Sequence, residues 1–504
     1  MNRIDTVGIV GAGAMGRGIV QIAAQAGLQV RLLDQDPDAV SDALLRLEQI
    51  WARQVEKGRM SADETAAARA RIEAVAGLEA MAGVDLVIEA IVERLDVKQT
   101  LFRTLEGIVA ADCILASNTS SLPITAIASA CERPGRVLGY HFFNPVPLMK
   151  VVEVIQGVRS DAAAADALMA LAQRMGHRAV RVRDMPGFLI NHAGRGMNIE
   201  GLKVAQECVA PFDQIDAIMR EQAGFRMGPF ELMDLTGLDV SHPVMESIYH
   251  QFYEEPRFRP SPITALRVQG GLLGRKTSAG FYDYVDGQKQ VPAEPAVPAA
   301  RGGLTVWPAP WQAQGHARAA ALLKSLEAQV SDAATPPDDA LILLTPLGED
   351  VSSLVARHGL DGRRTLALDT LFGLEPGRRR VLMCSPATAP EWRDAAHALL
   401  AGDGTAVSVI ADSAGFVAQR MVAGIVNVAC DIAQQGIASP EDIDAAVELG
   451  LGYPRGPLSL GDALGAGHIL EMLTAMQALT GDMRYRPSPW LRRRAQLGLP
   501  LVQA

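Results

Sequence analysis

Residues 6–26 read TVGIVGAGAMGRGIVQIAAQA. Thr6 to Val10 is a short apolar run of the kind a sheet buries, and Arg17 to Ala26 is a helical run. Between them, Gly11, Gly13 and Gly16 form GxGxxG. The first glycine permits a tight turn, the second lets the backbone approach a pyrophosphate, and the third lets helix and strand pack closely. Unpaired N–H groups at the helix start then meet the phosphates. Three glycines so spaced are common by chance, but between a buried strand and a helix they mark a dinucleotide site.

The next strand, Gln29 to Leu33, ends at Asp34, where a carboxylate can accept hydrogen bonds from the adenosine ribose. A carboxylate there repels a 2'-phosphate, and the next residue is Gln35 rather than arginine, so NAD is expected and not NADP. Capping the following helix is the competing role for Asp34, and the two are compatible. Apolar runs at Asp85 to Glu89, Cys113 to Ala116 and Val137 to Tyr140 continue the alternation of strand and helix. This predicts a parallel sheet covered on both faces, an α/β Rossmann-type domain over residues 1–185.

The chain then turns helical over 186–284, up to the aromatic cluster Phe281 to Tyr284. Residues 285–337 are rich in proline and alanine and read as a linker. A second copy of the helical segment follows at 412–504, at a constant offset of 228 positions. Asp184, Gly187 and Phe188 match Asp412, Gly415 and Phe416, while Gly228, Pro229, Asp234 and Gly237 match Gly456, Pro457, Asp462 and Gly465. The likeness fades upstream of about residue 389. Residues 338–411 carry strand-like runs without a glycine turn and read as a truncated Rossmann-like segment, with an unrelated small α/β insert as the alternative.

A chain of 504 residues is too long for one core, and 49% hydrophobic with 21% charged residues describes a globular protein. A net charge of -10 argues against nucleic-acid or anionic-membrane partners. Five scattered cysteines with no CxxC pair read as reduced thiols. With no signal-like start and no apolar stretch of bilayer length, the expected compartment is the cytoplasm.

Removing hydride from a carbinol carbon needs a base, a group that orients the base, and donors for the developing carbonyl. His141 ends an apolar strand, and Pro145 and Pro147 precede a second strand from Lys150 to Ile155. If that strand folds back antiparallel, Glu153 reaches the imidazole and sets its tautomer; a packing histidine is the plain alternative. Ser120, in the Ser117 to Ser121 run after the Cys113 to Ala116 strand, is a candidate donor to the substrate oxygen, or part of a polar helix cap.

GAGAMG at 11–16, VIEAIVE at 87–93, SNTSSL at 117–122, HFFNPVPLMKVVEV at 141–154 and PGFLIN at 186–191 together make the chain resemble the 3-hydroxyacyl-CoA dehydrogenases. The match runs almost unbroken to about residue 284, and the tandem length is similar to the 3-hydroxyadipyl-CoA and 3-hydroxybutyryl-CoA dehydrogenases of bacterial phenylacetate and acyl-CoA catabolism. The resemblance implies NAD-dependent oxidation of a (3S)-3-hydroxyacyl-CoA to the 3-oxoacyl-CoA, with His141 as base and Glu153 as its partner. It implies Ser120 and Asn191 on the substrate oxygen, and Lys57 near the CoA. Gly11, Gly13, Met15, Gly16, Asp34, Glu93, Lys98, Asn118 and Asn144 would surround NAD.

His192 departs from the arginine usual after the asparagine of this motif, and Gln419 stands at the second copy's equivalent of Asn191. One active site per chain is therefore expected, with the two helical copies paired as an intramolecular pseudo-dimer; a homo-oligomer of whole chains is compatible with this. A dicarboxylic acyl chain would call for a cation, with Arg195 and Arg226 as candidates. The alternatives are a related hydroxy-acid or sugar-acid dehydrogenase and a silent NAD-binding interaction protein.

Overall fold

The computed structural model describes residues 3–503. It divides into two compact units, Met1–His192 with Gln435–Leu451, and Ala193–Gln434 with Gly452–Ala504.

In the first unit, strands β1 (Thr6–Val10), β2 (Gln29–Leu33), β3 (Ile72–Ala74), β4 (Leu86–Glu89), β5 (Ile114–Ser117), β6 (Val137–Phe142), β7 (Val151–Gln156) and β8 (Arg178–Arg183) form one sheet in the order β3-β2-β1-β4-β5-β6-β7-β8. All neighbours are parallel except β6 and β7. Val7, Ile9, Leu32 and Ile88 are wholly buried, as strands covered on both faces require. The strand order reverses between β1 and β4, so the ligand crevice of such a sheet opens at their C-terminal ends. The unit also takes in the helix Pro440–Leu451 from the second helical copy, which packs on β7 and β8. Arg183 donates its amide to the Ile437 carbonyl at 2.8 Å, and Arg178 pairs with Glu441 at 3.0 Å.

The second unit begins with helices and a short hairpin of β9 (Tyr284–Val285) and β10 (Gln288–Lys289). A second sheet follows, built from β11 (Thr305–Pro308), β12 (Gln329–Val330), β13 (Leu341–Leu344), β14 (Thr365–Leu368), β15 (Arg380–Cys384) and β16 (Val407–Ala411), in the order β12-β11-β13-β14-β15-β16. The expected linker over 285–337 is thus corrected: β11, the helix Ala313–Ser325 and β12 lie inside it. Pro308 closes β11, Pro336 and Pro337 precede β13, and part of the alanine-rich composition belongs to the helix, while Pro292, Pro295 and Pro298 do lie in irregular chain. The longest run there without helix or strand is residues 290–304.

This sheet repeats the pairing of β4 to β8, parallel, parallel, antiparallel, parallel, through β11, β13, β14, β15 and β16. The register repeats as well. Leu138 pairs with Gln156, and 228 positions later Leu366 pairs with Cys384. The segment is therefore Rossmann-like and starts at Thr305 instead of 338; among the described residues it has no strand leading into a GxGxxG turn.

Helices Arg195–Gln206 and Val417–Gln434, one from each copy, pack side by side in this unit. Equivalent glycines meet at the contact: a Cβ on Gly196 would lie 2.8 Å from Ile425 Cα, and one on Gly424 would lie 3.2 Å from the Gly196 carbonyl oxygen. The helix Phe212–Glu221 of the first copy lies against the second sheet, where Ser408 donates to Gln214 at 2.7 Å and Arg379 to Glu221 at 2.9 Å. Each sheet thus carries a helix from the opposite helical copy. No helix among the described residues is long and apolar enough to cross a membrane.

Candidate active site

The hairpin of β6 and β7 sets His141 directly opposite Glu153. Imidazole Nδ1 lies 2.5 Å from Glu153 Oε2, and the carboxylate's other oxygen accepts the amides of Leu189 at 2.9 Å and Ile190 at 2.8 Å. Glu153 is completely buried, His141 nearly so. A carboxylate has no proton to give, so the proton between them sits on Nδ1 and leaves the Nε2 lone pair free to accept one. The rings of Phe143 and Phe188 stand 4.4 and 5.8 Å from the imidazole. Phe188 holds φ +50° after Gly187 at +74°, a left-handed pair that turns the chain into the short helix Ile190–Ala193. Asn191 follows the Ile190 amide that Glu153 holds, so the hairpin and the PGFLIN turn meet at one carboxylate.

Ser120 lies in the loop leaving β5, and Glu93 braces that loop. Glu93 Oε1 accepts from Thr119 Oγ1 at 2.6 Å, Ser120 N at 3.0 Å and Ser121 N at 3.1 Å. Burial raises the Glu93 carboxyl, but the Lys98 charge and these hydrogen bonds outweigh it and leave the group below its ordinary value. Lys98 is itself buried, with Nζ 2.5 Å from Glu89 and 3.2 Å from Glu93. Asn118 accepts the Phe142 amide at 2.9 Å, tying the loop to the strand that carries His141. Glu89, missed in the sequence reading, also accepts from Ser117 at 2.6 Å. The available signal was an acidic residue closing a buried strand, which requires a buried cation such as Lys98.

At the glycine turn, a Cβ on Gly11 would lie 2.4 Å from the Ala90 carbonyl oxygen, and one on Gly16 would lie 1.8 Å from that of Gly11. Both glycines are required by the protein's own packing. A Cβ on Gly13 would meet nothing within 4 Å, so the protein's own packing does not require glycine there. Asp34 accepts the Ala12 amide at 2.7 Å and so supports the turn. It is not the helix cap considered above: Asp36 caps the helix Pro37–Glu56. Met15 packs partly buried against the core, and Asn144 shares a groove with Arg17, Gln21 and Gln54. Lys57 is exposed at the end of the helix Pro37–Glu56, and Arg195 is buried, its guanidinium lowered by burial to about 10.

In the second copy, Ser120, His141, Glu153 and Asn191 are replaced by Gly348, Asp369, Val381 and Gln419. These positions also converge: Gln419 donates to Asp369 at 2.9 Å and accepts the Gly348 amide at 2.9 Å. Asp369 is completely buried, and burial raises its carboxyl. No base paired with an orienting carboxylate survives there.

The family model "3-hydroxyacyl-CoA dehydrogenase, NAD binding domain" matches residues 6–185, and "3-hydroxyacyl-CoA dehydrogenase, C-terminal domain" matches 187–284 and 415–500. The chain is 37% identical to a 3-hydroxyadipyl-CoA dehydrogenase of Escherichia coli (strain K12), over 99% of this chain and 98% of that protein. It is 43% identical to a probable 3-hydroxybutyryl-CoA dehydrogenase of Bacillus subtilis (strain 168), over 56% of this chain and 98% of that one. The crystal structure of a 3-hydroxybutyryl-CoA dehydrogenase from Escherichia coli K12 superposes with a TM-score of 0.87 at 35% identity, covering 99% of both chains. With both domain types matched and the glycine turn intact, the chain belongs to the 3-hydroxyacyl-CoA dehydrogenase family and is an NAD-dependent oxidoreductase acting on the hydroxyl of a 3-hydroxyacyl-CoA.

Proposed function

We propose that His141 takes the hydroxyl proton of a short 3-hydroxyacyl-CoA, with Glu153 as the group that orients it. The observation carrying this reading is the 2.5 Å contact between His141 Nδ1 and a fully buried Glu153 carboxylate held by two backbone amides. As the proton arrives at Nε2, the imidazolium gains a partner already in place, without reorganisation. Ser120 and Asn191 hold the substrate oxygen as it becomes a carbonyl, and exposed Lys57 meets the CoA. NAD, when bound, supplies the hydride acceptor. Gly11, Gly13, Gly16 and the first helix turn hold its pyrophosphate, Asp34 its ribose, and Met15, Glu93, Lys98, Asn118 and Asn144 support its surroundings, Lys98 by neutralising Glu89 and Glu93.

The names of the relatives leave two acyl groups, 3-hydroxyadipyl and 3-hydroxybutyryl. Burial of Arg195 beside Tyr453 disfavours it as the cation for a dicarboxylic chain, and Arg226 is exposed. NADH formation with C4 to C10 3-hydroxyacyl-CoAs, 3-hydroxyadipyl-CoA and free hydroxy acids tests the reading. Turnover of CoA thioesters alone is expected; turnover of free acids alone would overturn it. The second copy serves as scaffold in a cytoplasmic enzyme, pairing with the first as an intramolecular pseudo-dimer. The facing glycines Gly196 and Gly424 support this pairing.

A further inference from the structure

The helix contact around Gly196 and Gly424 relates the two copies by a pseudo-two-fold, since each glycine meets its own equivalent. The segments Pro256–Phe258 and Met483–Tyr485 also meet across it, where Arg257 donates to the Arg486 carbonyl at 2.8 Å. A true two-fold would place identical charges at equivalent positions. This one does not. Arg420, completely enclosed, donates to Glu200 at 2.7 Å and Glu207 at 2.6 Å, and to the Tyr485 hydroxyl, which itself donates to Glu200 at 2.9 Å. At the equivalent positions the chain carries His192 for Arg420, Val428 for Glu200, Gln435 for Glu207 and Arg257 for Tyr485. Arg257 pairs with Asp431, whose equivalent is Lys203.

We infer that the two helical copies have become complementary partners, each fitted to the other and not to a second copy of itself. Two first copies joined in this geometry would set Arg257 against Lys203. Two second copies would leave the enclosed Arg420 guanidinium facing Val428 and Gln435, and a buried charge without its partner is strongly unfavourable. The mixed pair gives both Arg420 and Arg257 a carboxylate. Pairing between like copies of separate chains is thereby disfavoured, which keeps the contact within one chain. This inference rests on the pseudo-dimer reading above.

The test is the unfolding midpoint of the full-length protein. Glu200→Val gives the first copy the second copy's residue and should lower the midpoint by about 5–10 °C. Adding Arg420→His, which completes the combination found at His192 and Val428, should recover most of the loss. Asp431→Lys should likewise destabilise, and Arg257→Tyr added to it should restore, reproducing the Tyr485 and Lys203 combination. The Arg257 and Asp431 variants, at a less enclosed pair, decide the matter if Glu200→Val yields no soluble protein. Single variants that melt like wild type, or double variants no better than the singles, overturn the complementarity. Gly196→Leu separates the two readings: an unchanged midpoint there sinks the pseudo-dimer itself, whereas a lowered one with inert charge variants sinks only the complementarity.

Discussion

The hairpin of β6 and β7 and that of β14 and β15 share strand register residue for residue, and one carries the proposed base while the other does not. Where the first sets His141 against Glu153, the second sets Asp369 against Val381. Architecture alone therefore does not make the site; two side chains on a common frame do. The second hairpin also buries different groups. Val151 and Val152 in the first copy correspond to Arg379 and Arg380, both buried and bound to carboxylates, Arg380 to Asp403 at 2.7 Å.

The difference breaks most severely at the base. His141→Ala should lower kcat by about 10²–10⁴-fold while NAD binding, measured by fluorescence titration, is kept. Glu153→Gln should cost about 10²-fold in kcat, because an amide NH2 turned toward Nδ1 favours the tautomer that has lost its lone pair at Nε2. Retained turnover would show that the contact is packing. In the other hairpin the effects move from rate to stability. Gln419→Ala removes the link between Asp369 and Gly348 and should cost about 1–3 kcal/mol in denaturant titration, with kcat unchanged.

The smallest effect is a pH dependence. The Arg380 hydrogen bond holds the Asp403 carboxyl down at about 2. A depressed carboxylate adds stability above its unfolded value of about 3.9, and that stability is lost as pH falls toward the folded value. Asp403→Asn should therefore flatten the acid limb of the stability profile between about pH 4 and 2. A limb as steep as wild type would mean that other carboxylates set it.

The glycine turn and the hairpin of His141 and Glu153 were legible because both depend on local sequence: a strand, a turn and a fixed count of residues. The pair of Glu89 and Lys98 was not, because it forms only when a strand end and the following helix close over the same interior. Composition misled over part of 285–337, where alanine serves a helix as readily as a linker and Pro308 closes a strand. The second sheet was legible only as strand-like runs from 338, and its first strands from Thr305 were not, because sequence likeness to the first sheet has decayed while backbone pairing, indifferent to side chains, has kept its register. The 228-residue offset revealed kinship between the helical copies but not which sheet each helix would cover.

That exchange of helices has a consequence during synthesis. The faces of β7 and β8 that receive Ile443, Ala446 and Val447 stay uncovered until the ribosome has made the helix Pro440–Leu451. At about 5–20 residues per second, the finished first sheet waits for tens of seconds with an apolar strip facing outward. Until that helix arrives, the exposed strip is where the nascent chain is open to association with other chains.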